Sequence, residues 1–279
     1  MHQLGSPTVG ASLTEIGAPA RRELDADRLL AFVLDCALAS LRAFPERTLS
    51  NDQWRRWQVL LARRRQGEPF AYLVGHQEFW SLSLEVGAGV LIPRPDSEVL
   101  VEAALSHIAL DDGGWIADVG TGSGNLALAL VSERAKLRVM AIESSPLAMR
   151  WAARNVRAHG RGRVHLSHSR SLSAVADSSL LAVVSNPPYI ASGDLDLEAS
   201  TLHEPRTALI AAEEGLAMLR ELALEGRRVL RSGGWLMLEH GWKQGGKVLG
   251  CLQELGYQQC QTLDDLALRP RVTIGRWIG

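Results

Sequence analysis

The chain has 279 residues, 46% of them apolar and 22% charged, with a net charge of −1. That length suffices for one large domain and a small one, and the near-neutral balance gives no global case for a nucleic-acid or membrane partner. No apolar run approaches a membrane span of about 20 residues, and the first residues lack the basic-then-apolar pattern of a signal peptide.

Residues 1–20 mix Gly, Pro, Ala, Ser and Thr without clear periodicity and read as a loose N-terminal tail or a frayed first helix. Residues 21–75 read as a helical domain. Leu29, Leu30, Phe32, Val33 and Leu34 crowd one helix, and Trp54, Trp57, Val59, Leu60 and Leu61 recur near 3–4 spacing in another. Ser50 is placed to N-cap that second helix, because its hydroxyl can satisfy an early N–H. Arg55, Arg56, Arg63, Arg64 and Arg65 decorate it as a solvated face; the alternative is a docking surface for an acidic or RNA-bearing partner. Cys36 lies in an apolar run and reads as a buried thiol. With Cys251 and Cys260 it makes an odd set without metal-ligand spacing, as suits a reducing, cytoplasmic setting.

Gly67-Glu68-Pro69 ends the helical block. Phe79, Leu82, Leu84 and Val86 then alternate with polar or small residues, so residues 76–95 read as a β-hairpin linker stopped by Pro93-Arg94-Pro95. Asp96 is placed to cap the next helix, with Glu98 near its positive end. From residue 96 to 279 the pattern is a strand–helix alternation. Strands are predicted at 115–119, 137–142, 163–166, 180–184, 235–238, 257–262 and 271–277, and helices at 126–134, 146–158, 215–230 and 247–255. Such alternation means an α/β, Rossmann-like fold with a mostly parallel sheet, and ligands then bind beyond the C-terminal strand ends at a switch point.

Three features fall at such strand ends. The first is the loop Asp118-Val119-Gly120-Thr121-Gly122-Ser123-Gly124, whose glycines let a ligand approach the backbone and whose following helix start favours anionic oxygen. A dinucleotide fingerprint needs glycine where Asn125 stands, and no Lys-Ser or Lys-Thr follows for a P-loop. What survives is a cradle for a smaller carboxylate-bearing ligand. The second is Glu143, a carboxylate able to accept both hydroxyls of a ribose. The third is Asn186-Pro187-Pro188-Tyr189, a stiff corner. Its prolines fix the backbone and remove two N–H donors. Free carbonyls beside a flat ring suit a planar group bearing N–H donors, an amide or an exocyclic amine. Together the three describe S-adenosylmethionine-dependent methyl transfer to nitrogen.

On these residues the chain closely resembles the release-factor glutamine methyltransferases (the HemK/PrmC family), from about Asp25 to the C-terminus. The resemblance is carried by residues 67–75 (GEPFAYLVG), 78–80 (EFW), 91–98 (LIPRPDSE), the glycine loop, 185–190 (SNPPYI), 204–206 (EPR), 233–235 (GGW) and Leu238-Glu239. The Asn-Pro-Pro-Tyr corner is shared with DNA adenine methyltransferases, whereas the Gly-Glu-Pro and Leu-Ile-Pro-Arg-Pro-Asp segments are particular to this family. The resemblance implies a small N-terminal helical bundle that docks the release factor, a β-hairpin linker and a seven-stranded class I methyltransferase domain. It implies methylation of the side-chain amide nitrogen of glutamine in the Gly-Gly-Gln motif of peptide chain release factors, without a metal. The cofactor would be held by Gly120, Thr121, Gly122, Ser123, Gly124, Glu143 and Asn186. The sequence departs from the family pattern at Glu143, usually Asp, and at Ser169-Arg170-Ser171, usually Asp-Trp-Phe, where Arg170 can stack on the adenine in place of the ring. It departs again near Leu268 to Pro270, where the family tends to have glycine and an acid.

The corner supplies the chemistry. The Asn186 side-chain oxygen and the Pro187 carbonyl would accept the two amide hydrogens of the substrate, with Pro188 and Tyr189 packing on the planar amide. Other features have plainer readings. His165 and His168 read as ordinary surface or semi-buried histidines, the eight Trp as core packing, and Glu204-Pro205-Arg206 and Arg94 as braces for the site. The alternatives are a DNA or ribosomal-protein N-methyltransferase sharing the corner, and a cofactor-binding module with degraded activity. Against direct nucleic-acid binding stand the neutral charge and the lack of a region for reading bases.

Overall fold

The computed structural model of the protein describes residues 7–191, 199–212 and 215–279. The chain divides into two compact units, residues 1–75 with 199–203, and residues 76–198 with 204–279.

The first unit is helical: α1 (Val9–Ile16), α2 (Ala18–Glu23), α3 (Ala26–Val33), α4 (Leu38–Ala43), α5 (Asn51–Arg65) and α6 (Phe70–Val74). Of the two readings of residues 1–20, a loose tail or a first helix, the described residues from 7 onward form the helix. Thr8 caps α1 by accepting from the Ala11 N–H, and Val9 and Leu13 are buried in the core of this unit. Two apolar positions one turn apart are too short a pattern to read against the small residues around them. Pro19 then opens α2, where a missing N–H costs nothing. Ser50 caps α5 in a full capping box with Gln53. One face of α5 buries Trp57 against Leu29, Leu30 and Leu61, and the Trp57 indole donates to the Ala26 carbonyl at 3.0 Å. The α5 arginines are mostly engaged within the unit: Arg55 with Asp52, Arg63 with Glu68, Arg64 with Asp25, and Arg56 over the Phe32 ring. Cys36, read as buried, is only half-buried.

The second unit opens on β1 (His76–Phe79) and β2 (Leu82–Glu85), an antiparallel pair. They turn through Trp80 and Ser81, both at positive φ. The hairpin is more than a linker, since Phe79 and Leu84 are buried in the main core of this unit. Residues 95–97 form a 3₁₀ turn leading into α7 (Glu98–His107), with no side-chain cap from Asp96, contrary to expectation. Asp96 pairs instead with Arg271 at 3.0 Å. The order continues β3 (Gly114–Val119), α8 (Asn125–Glu133), β4 (Leu137–Glu143), α9 (Pro146–His159), β5 (Val164–His168), β6 (Leu180–Ser185), β7 (Ile190–Ala191) and β8 (Ile210–Ala211). It ends with α10 (Ala217–Val229), β9 (Leu230–Glu239), α11 (Gly245–Glu254), β10 (Gln258–Asp264) and β11 (Pro270–Arg276).

Seven strands form one sheet in the order β10-β11-β9-β6-β3-β4-β5. Strands β5, β4, β3, β6 and β9 are parallel, and β11 inserts antiparallel between β9 and β10. Alternate residues of β3 serve opposite faces: Ile116 joins the layer under α7 and α8, while Ala117 and Val119 join the layer under α10 and α11. A sheet covered on both sides needs strands that are apolar along most of their length, as β6 is from Leu180 to Val184. After β3 the chain lays β4 and then β5 on one side and returns to place β6 on the other. The crevice beyond the C-terminal end of β3 is therefore a switch point. Among the described residues no helix is long and apolar enough to cross a membrane.

Candidate active site

The glycine loop leaves β3 and enters α8. The Gly120 and Thr121 N–H groups both donate to the Ile142 carbonyl, at 2.9 and 3.0 Å, which folds the loop over the end of β4. Gly120 has φ 73°, and a Cβ there would meet nothing within 4 Å, so the loop faces open space. Behind it Asp118 is fully buried. Its Oδ2 accepts from the Thr121 hydroxyl at 2.6 Å and the Ala127 N–H at 3.2 Å, while Oδ1 has no partner. Burial pushes this carboxyl up to about 7. The Ser123 hydroxyl is likewise buried without a partner. Two orphaned polar atoms beside a helix N-terminus fit a ligand that carries an ammonium and a carboxylate.

The predicted carboxylate stands at the end of β4. Glu143 accepts from the Gly122 N–H at 3.0 Å and the Ser145 N–H at 2.7 Å, so it braces the glycine loop from the end of β4. The Ser169 N–H donates to the Glu143 carbonyl at 3.1 Å, but the Ser169 hydroxyl turns back onto Ser171. Arg170 is exposed in the same loop. His165 packs on Trp115 with centroids 4.9 Å apart, and His168 bonds the Ser144 carbonyl at 2.9 Å, so the two are engaged separately. Of the eight Trp, Trp57 is fully buried and Trp242 is half exposed, so core packing describes them only in part.

The proline corner follows β6. Val119 and Ser185 are register partners, and the Ser185 hydroxyl donates to the Val119 carbonyl at 2.6 Å. That pairing brings Asn186 beside Gly120 although 66 residues separate them. The Asn186 Nδ2 donates to Ser97 Oγ at 3.0 Å, leaving Oδ1 without a hydrogen-bond partner among the described residues. Pro187 is buried; Pro188 and Tyr189 are half-buried. The Tyr189 hydroxyl donates to Glu239 Oε1 at 3.4 Å, and burial first, then the Glu239 charge, raises its pKa. Gln244 Nε2 donates to the Tyr189 carbonyl at 2.9 Å. Gly215, at φ 83°, passes so close that a Cβ would lie 1.9 Å from that carbonyl oxygen. Glu204 is buried and accepts from the Ile92 N–H at 2.8 Å and from Arg94, so Arg94 and Glu204 do act as braces.

Several residues of this site escaped the sequence reading. Asp118 had a signal, an acid at the penultimate position of a strand, one residue before the glycines begin. Ser97 and Glu239 lie in quoted segments, but nothing local distinguishes a residue that supports Asn186 from one that caps a turn. Asn155 on α9 is 1% exposed and bonds the Ser123 carbonyl and both backbone groups of Glu85. It looks like any polar residue in a helix.

Residues 10–75 match the PrmC N-terminal domain and residues 96–249 the methyltransferase small domain. The release factor glutamine methyltransferase of Shewanella oneidensis is 42% identical over 257 residues, 92% of this chain and 90% of that protein. Its Escherichia coli counterpart is 40% identical over 267 residues, 95% of this chain and 96% of that protein. A solved methyltransferase from Pyrococcus furiosus superposes with a TM-score of 0.54 at 18% identity, covering 82% of this chain and 100% of that one, which speaks to the fold.

Proposed function

The chain belongs to the release factor glutamine methyltransferase family, and from that premise we propose that it methylates the side-chain amide nitrogen of the glutamine in the Gly-Gly-Gln motif of peptide chain release factors. The observation that carries the reading is the unpartnered Asn186 Oδ1 next to the Pro187 carbonyl, at the switch point beside the glycine loop. Two fixed acceptors match the two hydrogens of a carboxamide NH₂.

S-adenosylmethionine would supply an electrophilic methyl group on a sulfonium. Asp118 Oδ1 would take its ammonium, and Ser123 with the loop N–H groups its carboxylate; Gly120, Thr121, Gly122 and Gly124 shape the cradle. Glu143 would accept from the ribose hydroxyls, and Arg170 would cover the adenine. The protein's main task is placement, because an amide nitrogen is a poor nucleophile whose lone pair is delocalised. Asn186 and Pro187 hold that nitrogen by its hydrogens and stabilise the positive charge that grows on it as the N–C bond forms. Tyr189 packs against the flat amide and excludes water. The nitrogen becomes acidic only after methyl transfer, so no strong base is needed. The helical domain of residues 21–75 would dock the release factor. Three free cysteines support a reducing, cytoplasmic setting.

The test is mass spectrometry of a release factor incubated with the protein and S-adenosylmethionine. One added methyl on the Gly-Gly-Gln peptide is expected, and none overturns the reading. Asn186→Ala is expected to lower kcat by about 100-fold or more while calorimetric affinity for S-adenosylmethionine changes little. Equal loss of cofactor affinity contradicts the role given to that amide.

A further inference from the structure

The reaction proposed above uses the oxygen edge of the Asn186 amide, yet an amide turned by 180° presents its NH₂ edge instead. We propose that Ser97 and Glu239 are positioning residues that lock Asn186 with Oδ1 toward the substrate nitrogen. The inference rests on the glutamine-methyltransferase reading.

The geometry is a cluster of donors and acceptors around two buried side chains. Ser97 and Glu239 are each 1% exposed. Asn186 Nδ2 donates to Ser97 Oγ at 3.0 Å. A hydroxyl that accepts there still has one hydrogen to give. Ser97 and Glu239 share no hydrogen bond among the described residues, Oε2 of the carboxyl being unpartnered, and the Ser97 hydroxyl opposes the rise that burial imposes on the Glu239 pKa. Glu239 Oε1 takes the Tyr189 hydrogen at 3.4 Å. An ionised Glu239 can only accept. It therefore draws the hydrogens of Ser97 and Tyr189 toward itself, and Ser97 is left as an acceptor for Asn186. One carboxylate then orients both working side chains of the corner.

A proton on Glu239 reverses that order. The acid hydrogen turns to the Ser97 oxygen, the Ser97 hydrogen is freed to point at Asn186, and the amide loses its reason to keep Oδ1 outward. Glu239 is poised for this, since burial raises its carboxyl to about 7. Opposing burial are the Ser97 hydroxyl and the Arg271 guanidinium of β11; Asp96, on the turn before α7, pushes the other way. Tyr189 faces it from the corner, Asp265 anchors Arg271 at 3.1 Å, and burial depresses the pKa of the adjoining His240.

The experiment uses the full chain, a purified release factor and S-adenosylmethionine. Ser97→Ala is expected to lower kcat about 10- to 100-fold with little change in KM for the cofactor, and Ser97→Thr, which keeps the hydroxyl, to restore it. Wild-type kcat is expected to fall on the acid side with a midpoint near 7, and Glu239→Gln to lose that limb. A readout without turnover accompanies these: the ¹⁵N side-chain amide resonance of Asn186, assigned by its loss in Asn186→Ala. It should titrate near the same pH in the wild type and stay fixed in Glu239→Gln, with thermal melts reporting folding. Wild-type kcat in Ser97→Ala, an acid limb that persists in Glu239→Gln, or an Asn186 resonance indifferent to pH in the wild type overturns the proposal. A wild type that leaves the release factor unmethylated refutes the underlying reading instead, and the resonance still decides the positioning claim.

Discussion

Asn155 is where stability and cofactor binding are tied most directly. It projects from α9 and uses both edges of its amide on the backbone of other segments. Oδ1 accepts from the Glu85 N–H at 2.7 Å, and Nδ2 donates to the Glu85 carbonyl at 3.0 Å and the Ser123 carbonyl at 2.9 Å. Ser123 belongs to the glycine loop, so this one side chain fastens that loop to α9 and to the end of β2. In Asn155→Ala three bonds vanish, each worth about 1 kcal/mol. The two at Glu85 are part-buried, and their backbone groups regain some hydration, whereas the Ser123 bond is buried. A net loss of about 2 kcal/mol follows, or a fall in Tm of about 4–8 °C for a unit of this size.

Asn155→Asp separates geometry from burial. The introduced carboxylate can still accept from the Glu85 N–H, but its other oxygen faces two carbonyl oxygens. Its folded-state pKa is therefore raised above the unfolded value. Such a group favours the fold most below the unfolded pKa and loses that contribution as pH rises through the folded pKa. The deficit of Asn155→Asp relative to wild type should thus shrink between pH 8 and pH 5, while that of Asn155→Ala stays level. Urea melts at the two pH values measure both, and calorimetry should show weaker S-adenosylmethionine binding in each variant. Wild-type stability in Asn155→Ala, or a deficit in Asn155→Asp that ignores pH, would refute the reasoning.

Three further outcomes are expected. Asp118→Asn keeps an oxygen for Thr121 and Ala127 but removes a buried charge whose pKa is raised to about 7; a raised folded pKa means stability is lost as pH climbs through it. Thermal melts at pH 8 should therefore show no loss, and calorimetry a marked drop in cofactor affinity; a large loss of stability at pH 8 argues against an uncompensated carboxylate. Glu204→Ala strands the Ile92 N–H and should cost about 2–4 kcal/mol in denaturant melts. Arg94→Ala leaves the buried Glu204 carboxyl with the Ile92 N–H alone and should cost about 3 kcal/mol at neutral pH, and a cost under about 1 kcal/mol would contradict the geometry. Gly215→Ala drives a Cβ into the Tyr189 carbonyl at a positive φ, and should lower kcat with little effect on cofactor affinity; unchanged turnover would show that the corner does not depend on that close passage.

Some elements were legible locally because the forces that make them are local. The capping box at Ser50 needs only Ser and Gln at the right spacing. The run of β6 is apolar from Leu180 to Val184 because both faces are covered, and a corner of two prolines is stiff in any context. Elements whose stability comes from elsewhere were not legible. α1 is held by burial of Val9 and Leu13 against later helices, not by its own periodicity. Asp96 looks like a cap by its neighbours, yet it is drawn to Arg271, which arrives from the other end of the domain.

The amino-acid sequence by itself determined the strand–helix alternation, the glycine loop, Glu143 and the Asn186 to Tyr189 corner, with the segments around Gly67 and Pro93 that marked the family. Each depends on backbone chemistry within a few residues. Only the tertiary structure decided what stands behind them. Strand order set β6 against β3, so that the corner meets the glycine loop. Packing buried Asp118, Ser97 and Glu239, and burial changed what those ordinary polar residues can do. A hydroxyl or carboxyl in water is satisfied by any neighbour, but one cut off from solvent is committed to the few partners the fold supplies, and those partners are far apart in the chain.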